Sequence, residues 1–250
     1  MARGVILAAG RGVRMGGGVH KSLMPLEGHE PLLYYMLAGL KRAGISDLMV
    51  VTGHAAGDVE EYVAKYWEQE ATFQFNPRYA SWGNFHSLRV AIDQSPGAPL
   101  LVVNCDIVIH PEVLTRVLQQ PGDLVLAVEK RLRLDDEDMR VRLSGNRVIG
   151  IGKDLTRAHG HGEFCGVSLL RPPAAAAYQD VATQVEWRGD THVYYEDIYA
   201  RMLDGVDGRS VAVNAGEYAE VDEPSNVAQA ARVVQTHADV WEVEAPAAPQ

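Results

Sequence analysis

Five short stretches, mostly apolar, constrain this chain more than any other feature. They lie at 5–9, 47–52, 72–75, 100–104 and 123–128. They have strand length rather than helix length, and most are too continuously apolar to keep one face in water. The first four are followed by Gly10, Gly53, Asn76-Pro77 and Asp106, residues that end strands. Segments of another period lie between them. In 32–43, Leu33, Met36, Leu37 and Leu40 recur at helical spacing and Gly44 stops the run. Segments 57–67, 84–92 and 111–118 read as further helices, the last with Pro111 at its start. Alternating helices and apolar strands point to an α/β domain whose mostly parallel sheet is covered on both faces.

The second half changes character. Residues 139–143 alternate, Asn146 marks a turn, and 147–151 follow, which predicts a small antiparallel hairpin. Strands are expected at 164–170, 211–214 and 217–220, and helices at 174–182, 196–203 and 225–236, with Ser225 as N-cap of the last. No repeat or linker divides the chain. One domain is therefore expected over 1–240, with a disordered tail over the Ala- and Pro-rich residues 241–250.

Composition removes several classes of function. The 33 acidic against 23 basic residues give a formal charge of −10, and no cluster of Lys and Arg suggests a nucleic-acid partner or an anionic membrane. Cys105 and Cys165 are too few for a disulfide framework and read as reduced, buried thiols. The N-terminus does not read as a signal peptide, and no apolar stretch approaches the ~20 residues of a membrane span. The expectation is a cytoplasmic protein.

Ligands of open α/β sheets bind at the carboxyl ends of the strands. The first strand is followed by Ala8-Ala9-Gly10-Arg11-Gly12-Val13-Arg14-Met15-Gly16, and then by His20-Lys21-Ser22-Leu23. Small residues let backbone N–H groups approach an anion, and Arg14 and Lys21 add positive charge, so this loop reads as a phosphate site. There is no Gly-Lys-Ser/Thr run, and no helix starts at the glycines, so it is neither a Walker loop nor a dinucleotide fingerprint. Asp106 follows the fourth strand, where a rigidly held carboxylate suits Mg²⁺. Glu220-Val221-Asp222-Glu223-Pro224 supplies further acid before the closing helix, and Asp222 lies ahead of the cap.

Taken together, Leu7-Ala8-Ala9-Gly10-Arg11-Gly12-x-Arg14-Met15, Lys21, Asp106 and Val221-Asp222-Glu223-Pro224 resemble the nucleotidyltransferases that make nucleotide sugars and CDP-alcohols, from residue 4 to about 235. The chain looks most like the phosphocholine and phosphonate cytidylyltransferases. His20-Lys21-Ser22-Leu23, the stretch from Phe75 through Trp82 and Asn84 to Leu88, and Asp136-x-x-Met139-x-Val141 with Ile151-Gly152-Lys153 and Gly162-Glu163-x-x-Gly166 carry that likeness. The resemblance implies a single Rossmann-like, GT-A-like domain. It also implies Mg²⁺-dependent transfer of CMP from CTP to a small phospho- or phosphono-alcohol, with pyrophosphate released. A homodimer would be in keeping with that branch.

On this likeness, Arg14 and Lys21 are the catalytic cations. Leu7, Ala8, Ala9, Gly10 and Gly12 lie along the nucleotide, and Ser81, Asn84, Ser87 and Asp106 contact it. Asp106 and Asp222 hold Mg²⁺, with Glu196 as a further carboxylate because Val108 leaves no second acid after Asp106. Lys130, Lys153, Glu163, Tyr195 and Glu196 face the acceptor. Trp82, Trp187, Tyr194 and Tyr195 are candidates for a cation–π pocket. Ser81, Asn84 and Ser87 could equally serve a helix start, and the nine histidines read as surface residues. A sugar-1-phosphate nucleotidyltransferase using UTP, GTP or ATP and a non-catalytic nucleotide-binding regulator remain as alternatives.

Overall fold

The computed structural model describes residues 1–12, 20–131 and 133–241. Arg14, Met15 and the segment 242–250 lie outside them. Strand β1 (Arg3–Ala8) is the centre of a parallel set. It pairs in parallel with β2 (Leu48–Thr52) on one side and β4 (Leu100–Asn104) on the other, and β2 pairs in parallel with β3 (Ala71–Phe75). Strand β9 (Gly162–Leu170) lies between β4 and β6 (Leu124–Glu129) and runs against both, and β10 (Gly208–Val213) returns parallel to β6. The hairpin β7 (Arg140–Ser144)–β8 (Arg147–Gly152) closes the far edge, in the order β3-β2-β1-β4-β9-β6-β10-β8-β7. A separate two-stranded ladder joins β5 (Ile107–Ile109) to β11 (Tyr218–Glu220). The sheet is mixed and mostly parallel, as the sequence predicts. The carboxyl ends of β1, β4 and β6 share one edge with the amino end of the reversed β9.

Strand pleating explains the two layers. Val5 and Leu7 belong to one buried cluster, and Ile6 and Ala8 to the other. The first cluster is filled from α3 (Phe85–Asp93), α5 (Pro172–Trp187) and α6 (Tyr195–Met202). The second is filled from α1 (Leu32–Arg42), α2 (Ala56–Tyr66), α4 (Pro111–Gln119) and α7 (Val227–Thr236). Helix α1 buries the four apolar positions expected of it and ends at Arg42, capped by Ala43 and followed by Gly44, whose φ of +78° only glycine adopts freely.

Some local expectations are corrected. Residues 107–109 form a strand that was not foreseen, and Ser225 lies within a 3-10 turn (Pro224–Asn226) rather than capping the closing helix. Asn226 spans that junction, its side-chain oxygen accepting the N–H groups of Asp222 and Glu223. Trp241, assigned to the tail, ends helix α8 (Ala238–Trp241) and is buried edge-on against Tyr35. Among the described residues no helix is long and apolar enough to cross a membrane.

Candidate active site

A cleft of about 350 Å³ opens at the shared strand edge. Gly12 and Lys21 enter it from the loop after β1, Asn104 and Asp106 from the end of β4, and Glu163, Phe164 and Gly166 from β9. Glu220 ends β11 and Asp222 follows it, while Tyr194 and Glu196 flank the start of α6. Lys153 and Glu137 complete the rim, joined to each other at 3.2 Å.

The small ladder positions the acidic residues. Ile107 pairs with Glu220, and the Val221 N–H donates to the Asp106 carbonyl at 2.8 Å. Glu220 and Asp222, two residues apart, thereby reach the Asp106 carboxylate. One oxygen from each of the three lies within 4.8 Å of the others. Lys21 sits among them, its Nζ 3.1 Å from Asp106 Oδ2 and 2.5 Å from Asp222 Oδ1. Burial disfavours its charge, but the two carboxylates outweigh burial and hold the amine above its ordinary pKa. Burial, with Asp106 and Asp222 beside it, pushes the Glu220 carboxyl up to about 8. Asp106 Oδ1 is buried without a hydrogen-bond partner. An all-carboxylate donor set around an orphaned oxygen fits a hard divalent cation such as Mg²⁺.

The cleft is acidic beyond this centre. Glu163, 6% exposed, pairs with Arg131 at 2.6 Å, yet burial still raises its pKa to about 7. Glu196 is 5% exposed, its Oε2 has no hydrogen-bond partner, and burial raises it to about 8. Two lysines face six carboxylates among the described lining residues.

His20 corrects the expectation of surface histidines. Its ring is 1% exposed, and Nδ1 accepts from the Ser22 N–H that opens the Lys21–Leu23 turn. Burial lowers its pKa, and the Ala8 and Gly10 backbone borders the ring. His20 thus ties the end of β1 to the segment that carries Lys21.

The cleft brings together Gly12, Lys21, Asn84, Asp106, Lys153, Glu163, Glu196 and Asp222 from the predicted set. Leu7, Ala8 and Ala9 are buried in and just after β1, and Gly10 is exposed beside them. Lys130 and Ser81 are exposed and line no part of this cleft. Ser87 is buried and accepts from Asn76 Nδ2 at 2.9 Å, so its hydroxyl serves the α3 packing rather than a ligand. Asn84 precedes α3 without capping it and accepts the Tyr195 N–H. Tyr195 is fully buried, so Tyr194 replaces it at the cleft wall, 5.7 Å from Lys153 Nζ across its ring. Trp187 is 88% exposed on α5, and Trp82 stacks on Phe85; neither lines this cleft. Glu220, not Glu196, is the third member of the carboxylate centre. It was missed because it reads as a strand end. The spacing Glu220-x-Asp222, two acids on one face of a strand, was the available signal.

Residues 4–215 match the family described as the MobA-like NTP transferase domain. The bifunctional protein GlmU of Rhizorhabdus wittichii is 28% identical over 223 residues, 84% of this chain and 47% of that protein. The CMP-5'-(3-aminopropyl)phosphonate synthase of Streptomyces rubellomurinus is 30% identical over 138 residues, 52% of this chain and 21% of that protein. The chain thus spans about half or less of these curated relatives. The structure of the inositol-1-phosphate CTP transferase from T. maritima superposes with a TM-score of 0.79 at 19% identity, over 94% of this chain and 97% of that one.

Proposed function

This chain belongs to the MobA-like NTP transferase family, and from that premise we propose that it transfers CMP from CTP to a small phospho- or phosphono-alcohol of the phosphocholine, 2-aminoethylphosphonate or 2-hydroxyethylphosphonate type. The observation that carries the reading is the seating of Lys21 between Asp106 and Asp222, with Glu220 beside them, at the mouth of β1 and β4. An acceptor oxygen attacks the α-phosphorus of CTP, the bond to the β-phosphate bridging oxygen breaks, and pyrophosphate leaves. The acceptor is already anionic, so the task is orientation and neutralisation of charge rather than proton removal. Asp106, Glu220 and Asp222 would hold Mg²⁺, which when bound supplies positive charge to the phosphoryl oxygens. Lys21 brings the chain's own charge to the α-phosphate, and Gly12 lets the backbone approach it.

The choice of acceptor follows from the wall. Glu163 and Glu196 are buried carboxyls held above their ordinary pKa, and Tyr194 and Phe164 stand beside them. An ammonium group on the acceptor would satisfy these carboxylates and lie against an aromatic face. That favours the amine-bearing members of the class over a sugar 1-phosphate. The phosphonate CMP synthase relative supports the same direction.

The test is pyrophosphate release with Mg²⁺, the four NTPs being crossed against phosphocholine, 2-aminoethylphosphonate, 2-hydroxyethylphosphonate, inositol phosphate, glycerol phosphate and glucose 1-phosphate. Turnover with CTP and an amino-alcohol phosphate or phosphonate, lost in Asp106→Ala, is the expected result. Turnover confined to glucose 1-phosphate with another NTP would overturn it.

A further inference from the structure

We propose that Tyr195 is a positioning residue that fixes the Asn84 and Asn104 side-chain amides as a pair of N–H donors for the phosphate or phosphonate oxygens of the acceptor. The identity of the ligand rests on the nucleotidyl-transfer reading; the amide pair rests on geometry alone.

Tyr195 opens α6 with its ring fully buried between Phe164 and Tyr199, at centroid separations of 6.2 and 5.2 Å. Its backbone N–H donates to Asn84 Oδ1 at 2.9 Å, and its hydroxyl donates to Asn104 Oδ1, also at 2.9 Å. The two asparagines come from different elements: Asn84 precedes α3 and Asn104 ends β4. A primary amide has one acceptor oxygen and two N–H donors. With both oxygens engaged by one residue, each amide keeps its NH₂ group for a ligand. Both amides line the cleft.

Two glycines make the arrangement possible. Gly166, at φ +71°, lies against Asn104, and a Cβ there would come within 3.0 Å of the Asn104 Nδ2. A Cβ on Gly83 would collide with the Val193 carbonyl oxygen, and the Gly83 N–H donates to the Thr191 carbonyl at 2.7 Å, so the segment leading into α6 lies directly on the start of α3. A phosphate or phosphonate group offers only acceptor oxygens. Two donor-only amides, with Lys153 on the same cleft, match it. A sugar hydroxyl or a base edge would call for acceptors as well. Neutral donors also suit an anion in a cleft where carboxylates outnumber lysines.

Tyr195→Phe keeps the packed ring and removes only the hydroxyl. It is compared with Asn104→Ala and the double variant by acceptor KM and kcat in CTP-dependent pyrophosphate release, CTP affinity by calorimetry, and thermal midpoint. Tyr195→Phe should raise the acceptor KM about tenfold, the value of one well-placed hydrogen bond, with CTP affinity held within about twofold. The double variant should be no worse than Asn104→Ala, because the hydroxyl acts through that amide. Multiplying effects, or a loss confined to thermal midpoint or CTP affinity, overturn the proposal. The same cycle read by ³¹P NMR titration of methylphosphonate needs no turnover. A non-additive pattern there in an enzyme that releases no pyrophosphate rejects the nucleotidyl-transfer reading and keeps the amide pair. Wild-type protein that binds no methylphosphonate overturns the amide pair itself.

Discussion

Replacing Lys21 by Met removes one charge and keeps the length of the side chain. In the native cleft that charge lies 3.1 Å from Asp106 and 2.5 Å from Asp222. At an effective dielectric constant near 20, each contact carries about 5–7 kcal/mol of gross attraction. Burial of the amine, 10% exposed, offsets much of this, and solvent screens the share of Asp222, 40% exposed. Loss of the amine also leaves the Asp106 and Asp222 carboxylates facing each other within 4.8 Å, repelling by about 3 kcal/mol at the same dielectric, while Glu220, held up to about 8, keeps its proton. After these offsets a net loss of about 3 kcal/mol in metal-free buffer is expected, which for a chain of this size lowers Tm by roughly 6–12 °C. Mg²⁺ supplies the missing positive charge, so it should raise the Tm of Lys21→Met more than that of the wild type. Thermal unfolding in EDTA and in saturating Mg²⁺ reads both quantities. A variant within ~1 °C of wild type in EDTA, or an equal Mg²⁺ increment in both proteins, would refute the electrostatic account.

Three further outcomes follow from the same geometry. Glu196 keeps its proton to about pH 8 in the folded chain, while the unfolded chain releases it near its ordinary pKa of about 4.5, so its burial costs stability progressively as pH rises between those values. Glu196→Gln should therefore be more stable than wild type by about 3 kcal/mol at pH 7 in urea titrations and no more stable near pH 4.5; a pH-independent difference would count against this assignment. Glu220→Gln should weaken Mn²⁺ binding, followed by calorimetry, by about one to two decades without unfolding the β5–β11 ladder, whereas unchanged affinity would remove Glu220 from the cation centre. Gly166→Ala forces a side chain into a left-handed backbone against Asn104, and should cost about 1–3 kcal/mol in chemical denaturation.

The chain's own residues were enough to indicate the layered fold. Helical and strand periods differ, and Leu33, Met36, Leu37 and Leu40, or the apolar runs of β1, β2, β4 and β6, declare them locally. Lys21, Asp106 and Asp222 were legible for a related reason: each stands near a strand end, where a buried sheet delivers ligands. What only the tertiary structure decided was which side chains meet. Glu220 joins Asp106 because β11 pairs with β5, a contact between segments more than a hundred residues apart in the sequence. Tyr195 was placed at the acceptor and is instead in the core. A single-residue rotation at the start of a helix exchanges wall for interior, so Tyr194 faces the cleft and Tyr195 anchors Asn84 and Asn104. Periodicity is a property of neighbours along the chain. The site is a property of strand pairing and helix phase, which the packing of the whole sheet sets.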